Sequence, residues 1–177
     1  MKVLVTAASR HGSTAEIATI IASILQASDI DAEAVPPEGV ESVEDYDAVI
    51  LGSAVYAGHW LKSALDFVAR HAGDLATRPV FLFSSGPLGY PSRRPVELPD
   101  AVAVMTRTGA MDLQVFPGRL VGRDLDLRER LSASKAHTPY GDFRPWDDII
   151  DWTRQIARYL QEESVAAGAT RHTHGVG

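Results

Sequence analysis

The stretch Val3-Leu4-Val5-Thr6-Ala7-Ala8-Ser9-Arg10-His11-Gly12-Ser13-Thr14 changes character midway, and its two halves ask for different structures. Val3-Leu4-Val5 is a short apolar, β-branched run that ends in small polar residues from Thr6 to Gly12, so it reads as a buried strand feeding a loop. From Thr14 onward Ile17, Ile20, Ile21, Ile24 and Leu25 recur at three- and four-residue spacing, which predicts a helix. Ser13 or Thr14 is placed to cap it, and Glu16 favours its first turn. One face of that helix must lie on a sheet.

Working outward, Asp31 to Val35 alternates polar and small apolar residues before Pro36-Pro37, which predicts a weak strand near a sheet edge. Ala48-Val49-Ile50-Leu51-Gly52 is a second apolar strand, and Leu61, Ala64, Leu65, Val68 and Ala69 trace a helical stripe behind it. Val80-Phe81-Leu82-Phe83 is a third, closed by Ser84-Ser85-Gly86-Pro87. Strands separated by helices of this length call for a parallel sheet covered on both faces, with right-handed crossovers.

Pro87 to Pro99 reads as a loop, Ala101 to Thr106 as a short helix, and Gln114-Val115-Phe116 before Pro117-Gly118 as the fifth strand. The charged stretch from Gly122 to Gly141, with a helix over Leu125 to Ser134, reads as a surface insertion. Trp146, Ile149, Ile150, Thr153, Ile156, Ala157 and Leu160 define a last helix that should pack across the sheet, with Asp147 and Asp148 at its positive end. Beyond Glu163 little remains to bury. Residues 1–163 are therefore expected to form one domain, and 164–177 a disordered tail.

A chain of 177 residues, 45% of them apolar, can bury a sizeable core. It has no cysteine, which excludes disulfides, thiolate metal sites and cysteine nucleophiles, so any redox chemistry must come from a bound cofactor. A net charge of −6 argues against nucleic-acid or anionic-membrane partners and favours a small-molecule ligand or a basic protein. The longest uncharged stretch, Ala48 to Leu61, is too short to span a bilayer, and no signal segment is evident, so a cytoplasmic location is expected.

In an open parallel sheet, ligands bind outside the carboxyl ends of strands where strand order reverses. Three loops qualify. Thr6 to Thr14 offers hydroxyls, a glycine and backbone amides at the mouth of a helix, which is how an anionic phosphate is held. The plain alternative is an ordinary cap, but Ser9, Ser13 and Thr14 exceed what one cap needs. The loop ends in neither Gly-Lys-Ser/Thr nor G-x-G-x-x-G, which excludes the common nucleotide fingerprints. Phospho-acceptor chemistry is disfavoured because Thr6-Ala7 and Gly52-Ser53 stand where acids would be needed.

The second loop, Gly52 to Trp60, mixes small residues that let backbone approach a ligand with Tyr56 and Trp60, whose rings could lie on a planar ligand. For Trp60 the alternative is packing over the start of the next helix. Ser84 to Tyr90 repeats the recipe. His59 is the candidate proton donor, since imidazole exchanges protons near neutrality, although a lone histidine in a glycine-rich loop is more often only a hydrogen-bonding residue. His172 and His174 lack a third ligand, so no metal site is expected. Arg93 and Arg94 could steer an acidic substrate or partner, or could simply be solvated.

Taken together, Thr6 to Thr14, Gly52-Ser53 with Gly58-His59-Trp60, and Ser84-Ser85-Gly86 resemble a flavodoxin-type FMN domain. The resemblance is greatest to the branch containing menaquinone-dependent protoporphyrinogen oxidases. It extends over residues 2 to 162, including Phe116 to Leu120 and the Gly141-Asp142 approach to Trp146. It implies a doubly wound α/β sheet of about five parallel strands with helices on both faces. It also implies FMN as cofactor, with phosphate contacts from Ser9, Arg10, Gly12, Ser13 and Thr14. Isoalloxazine contacts would come from Ser53, Ala54, Val55, Tyr56, Gly58, His59 and Trp60, and from Ser85, Gly86 and Gly89. Arg10-His11 departs from the small or amide residues of short electron-carrier flavodoxins. The 122–141 stretch is shorter and more polar than the hydrophobic, basic insertion of the membrane-associated oxidases. An FMN-dependent oxidoreductase with a small-molecule or protein redox partner is the function implied. An electron carrier and an interaction module without cofactor are the alternatives.

Overall fold

The computed structural model describes residues 1–86, 98–121 and 140–173, with side chains up to 167. The chain begins β1 (Lys2–Ala8), α1 (Ser13–Gln26) and β2 (Asp31–Ala34), passes a 3-10 turn at Pro37–Gly39, and continues through β3 (Ala48–Tyr56) and β4 (His59–Trp60). Next come α2 (Lys62–Leu75), β5 (Val80–Gly86), α3 (Pro99–Thr108), β6 (Asp112–Pro117), β7 (Arg119–Leu120), β8 (Gly141–Asp142) and α4 (Trp146–Thr173).

The main sheet runs β2-β1-β3-β5-β6, all parallel, with β4 folded back on β3. Val3 lies opposite Ala48 and Ala8 opposite Ser53, while on the other side of β3 Val49 lies opposite Val80 and Ala54 opposite Ser85. The chain leaves β1 toward β2 and then returns to the other side of β1 as β3. Strand order therefore reverses at the β1/β3 junction, and a crevice opens there at the carboxyl ends. The edge strand expected over Asp31 to Val35 is in place as Asp31–Ala34.

Alternate strand residues feed two cores. Val3, Val5, Ile50 and Phe83 face Ile17, Ile21 and Leu25 of α1 and Ile149, Trp152 and Ile156 of α4. Leu4, Val49, Leu51 and Leu82 face Phe67, Val68 and Leu75 of α2 and Val104 of α3. Burial on both faces is why these strands read as unbroken apolar runs.

Several expectations change. Ile20 is 38% exposed, because Ala18 and Ala22 rather than Ile20 complete the buried arc of α1. β3 continues through Ala54 to Tyr56, which had been expected in a loop, and turns through Ala57 (φ 50°) and Gly58 (φ 84°) into β4. Two consecutive positive φ angles match the twist of a two-residue hairpin. α4 runs on to Thr173 as helix; its residues 161–167 are all exposed, so the segment expected to bury little keeps a helical backbone without burying those side chains. Residues 87–97, within the stretch expected as a loop and including Gly89, Tyr90, Arg93 and Arg94, and the helix expected at 125–134 lie outside the described residues. No helix among the described residues is long and apolar enough to cross a membrane.

Candidate functional site

A solvent-open cleft lies at the strand-order reversal. It is walled by Ser9, Arg10, His11, Ser13 and Thr14 after β1, by Ala54, Val55 and Tyr56 at the end of β3, by Ser85 and Gly86 of β5, and by Gly118 to Val121 beyond β6.

The first wall is built by Gly12. Its φ of 81° puts it in the left-handed region, which glycine adopts without strain, and it caps α1 with no side-chain hydrogen bond, so the expected Ser13 or Thr14 cap is replaced by backbone geometry. Glu16 N–H donates to the Gly12 carbonyl at 2.9 Å. The amides of Ser13, Thr14 and Ala15 therefore have no acceptor within the helix. Ser13 Oγ is buried with no partner among the described residues, and Thr14 is 2% exposed. Unspent amide donors, an unspent buried hydroxyl and the positive end of a helix dipole together suit a phosphate-type anion.

The opposite wall depends on a close backbone approach. Gly118 N–H donates to the Gly86 carbonyl at 2.5 Å, and a Cβ on Gly118 would meet that oxygen at 2.5 Å. Tyr56 stands at the rim with the Arg10 guanidinium 5.5 Å from its ring centre and the His11 ring edge-on at 6.3 Å. Arg10, His11 and Arg119 are the basic residues of the lining; no carboxylate lines it among the described residues.

An ion-pair chain braces the ribbon of β7 and β8 against α1. Arg119 holds the Glu16 carboxylate at 3.1 Å, and Arg144 holds it at 2.6 Å while also holding Asp142 at 2.6 Å. Hydrogen bonding to Arg144 keeps the Asp142 carboxyl below its ordinary range, and Asp142 in turn raises Arg144.

The cleft thus gathers Ser9, Arg10, Ser13, Thr14, Ala54, Val55, Tyr56, Ser85 and Gly86 from the residues expected to bind cofactor, with Gly12 shaping the turn. It does not gather the others. Ser53 is fully buried; its hydroxyl donates to the Ala54 carbonyl and accepts from Leu61 N–H, tying β3 to the start of α2. Gly58 is the hairpin turn. Trp60 is 4% exposed because its position opposite Val55 directs it into the α2/α3 core, where its indole N–H donates to Ser84 Oγ at 2.9 Å. The packing alternative for Trp60 is the one observed. His59 points to solvent with Nδ1 3.0 Å from the Asp100 carboxylate, which also accepts Trp60 N–H. It lies outside the residues that line the cleft. Gly89 is not described. Gly52 is occupied by the Phe83 ring rather than by a ligand approach.

His11, Gly118, Arg119, Leu120 and Val121 line the cleft without having been assigned to the site from the sequence. The available signal was Pro117-Gly118 at the carboxyl end of the fifth strand, where the same strand-end rule applies.

The flavodoxin domain family model matches residues 4–136. Over 121 residues the chain is 30% identical to protoporphyrinogen IX dehydrogenase [quinone] of Escherichia coli K12; the match takes in 67% of this chain and spans 65% of that protein. Among solved structures, a flavodoxin from Streptococcus pneumonia superposes with a TM-score of 0.58 at 20% identity, covering 92% of this chain and 99% of that one. Rubredoxin oxygen:oxidoreductase of Desulfovibrio gigas superposes with a TM-score of 0.61 at 16% identity, covering 91% of this chain and 36% of that one.

Proposed function

This chain belongs to the flavodoxin domain family, whose cofactor is FMN, and from that premise we propose that it is an FMN-dependent oxidoreductase acting on a small organic substrate rather than a carrier between proteins. The observation that carries the reading is the cleft rim. Arg10, His11 and Arg119 stand there with no carboxylate among the described lining residues, whereas a carrier that docks basic partners would ring the cofactor with acids.

The residues suit the cofactor. The free amides of Ser13 to Ala15 with the unpartnered Ser13 hydroxyl would take the phosphate, and Thr14 adds a second hydroxyl. The ends of β3 and β5 would flank the ring, with Gly86 and Gly118, drawn together by their backbone hydrogen bond, in the same wall. Bound FMN supplies the electron- or hydride-accepting chemistry. The protein's own contribution is positioning: Tyr56, braced by Arg10 and His11, closes one side of the cleft and limits water access, while Arg10 and Arg119 supply positive charge. Residues 1–163 are taken as the unit that carries this function.

The curated relative's name supplies the first substrate to test, protoporphyrinogen IX with a quinone acceptor. The experiment is anaerobic turnover by FMN-reconstituted protein, followed by porphyrin fluorescence. Porphyrin formation that requires both FMN and quinone supports the reading. Failure with this and other small reductants, combined with rapid electron exchange with a reductase protein, would replace it with the carrier.

A further inference from the structure

Four side chains alternate in sign from the ribbon to the cleft: Asp142, Arg144, Glu16 and Arg119. Arg144 is the anchor. Its side chain is 4% exposed, and its Nε and Nη2 donate to the Asp142 carboxylate at 2.8 and 2.6 Å. Its Nη1 donates to Glu16 at 2.6 Å and to the Ser13 carbonyl at 3.3 Å, and its guanidinium lies 4.5 Å from the Trp146 ring centre. Arg119 meets the other side of Glu16, its two terminal nitrogens 3.1 and 3.2 Å from the two carboxylate oxygens.

A carboxylate in the first turn of a helix competes with a ligand anion for the same positive helix end. Here Glu16 is held between two guanidinium groups, which offsets that competition. Arg144 is committed on every side and buried. Arg119 has one carboxylate partner among the described residues and stands, like Arg10, in the cleft wall, so of these four side chains it is the cation that a ligand in the cleft meets.

Resting on the FMN reading above, we infer that Arg119 is a specificity-determining residue that selects phosphorylated over unphosphorylated flavin, with Glu16 as the opposing charge that Arg144 helps to offset. Arg119 adds a planar, permanently charged donor to the amides and hydroxyls at the start of α1.

The test titrates wild-type, Arg119→Gln, Arg119→Lys and Glu16→Gln protein with FMN and with riboflavin, following quenching of flavin fluorescence. Arg119→Gln should lower the FMN-to-riboflavin affinity ratio roughly five-fold, as expected of a partly exposed ion pair of about 1 kcal/mol. Arg119→Lys should restore part of the ratio. Glu16→Gln should raise the ratio, because it removes the competing negative charge; if Arg119→Gln fails to fold by circular dichroism, a partial fall of the ratio in Arg119→Lys decides the matter. A ratio that stays put in Arg119→Gln and Glu16→Gln, or an equal fall for both flavins, overturns the selectivity role while leaving FMN binding intact. Wild-type protein that quenches neither flavin overturns the cofactor reading and this inference with it.

Discussion

Replacing Gly52 by alanine is the sharpest test of how the strand ends are held. Gly52 lies directly opposite Phe83 across the β3/β5 pair, and the Phe83 ring lies over it. A Cβ on residue 52 would come within 2.1 to 2.5 Å of three ring carbons. The ring has little room to retreat: Phe83 is fully buried, with Phe116 and Trp152 at 6.3 and 6.2 Å between ring centres. Trp152 is itself fixed by its indole N–H on the Asp112 carboxylate at 2.7 Å. Overpacking of a tight core costs about 1–3 kcal/mol, and contacts this short place Gly52→Ala at the upper end, about 3 kcal/mol. For a domain of this size that corresponds to a fall in Tm of about 6–12 °C.

Urea unfolding at constant m-value would measure the loss. The double variant Gly52→Ala/Phe83→Leu identifies its cause, because shortening the aromatic side chain relieves the clash. The two costs should therefore fail to add, with a coupling of about 1–3 kcal/mol. A Gly52→Ala protein within about 0.5 kcal/mol of wild type, or strictly additive costs, would refute the reasoning. Because Ala54 to Tyr56 and Ser85-Gly86 lie just beyond this pair, the destabilised variant should also bind FMN more weakly.

Other outcomes follow from the same geometry. Gly118→Ala sets a Cβ 2.5 Å from the Gly86 carbonyl oxygen, a backbone atom, so it should cost about 1–3 kcal/mol in thermal unfolding and weaken FMN binding; a wild-type Tm and affinity would contradict the close approach. Thr14→Ala should weaken FMN by about 1 kcal/mol and leave riboflavin unchanged, in paired titrations, in line with losing a hydrogen bond to a charged acceptor. His71 is buried against Phe67, and its burial, reinforced by the charge of Arg70, pushes its pKa below the ordinary 6.5. The unfolded chain therefore takes up a proton that the folded chain refuses. Stability from this group is fully present above about pH 6.5 and declines as pH falls below it. His71→Phe should flatten unfolding free energy against pH in that window, and an unchanged slope would rule His71 out as its source.

Much of the fold was legible because burial on both faces writes itself into the sequence as unbroken apolar runs: Val3-Leu4-Val5, Ala48 to Leu51 and Val80 to Phe83 all became central strands. The phosphate-type wall was legible for a related reason. Strand, small polar loop and helix are consecutive, so Ser9 to Thr14 must converge wherever the sheet lies.

Contacts between distant segments left no such trace. Trp60 and His59 are neighbours in a glycine-containing loop, and nothing local shows that the hairpin sends one into the core and the other to Asp100. Gly52 looked like room for a ligand, but only the register of β3 against β5 shows that Phe83 fills it.

The sequence by itself determined the layered parallel sheet and the end of it where an anion can sit, because local periodicity and chain order suffice for both. Only the tertiary structure decided which side chains face the cleft. That depends on strand register and on pairings such as Arg119 with Glu16, 103 positions apart, whose geometry exists only after the chain has closed on itself.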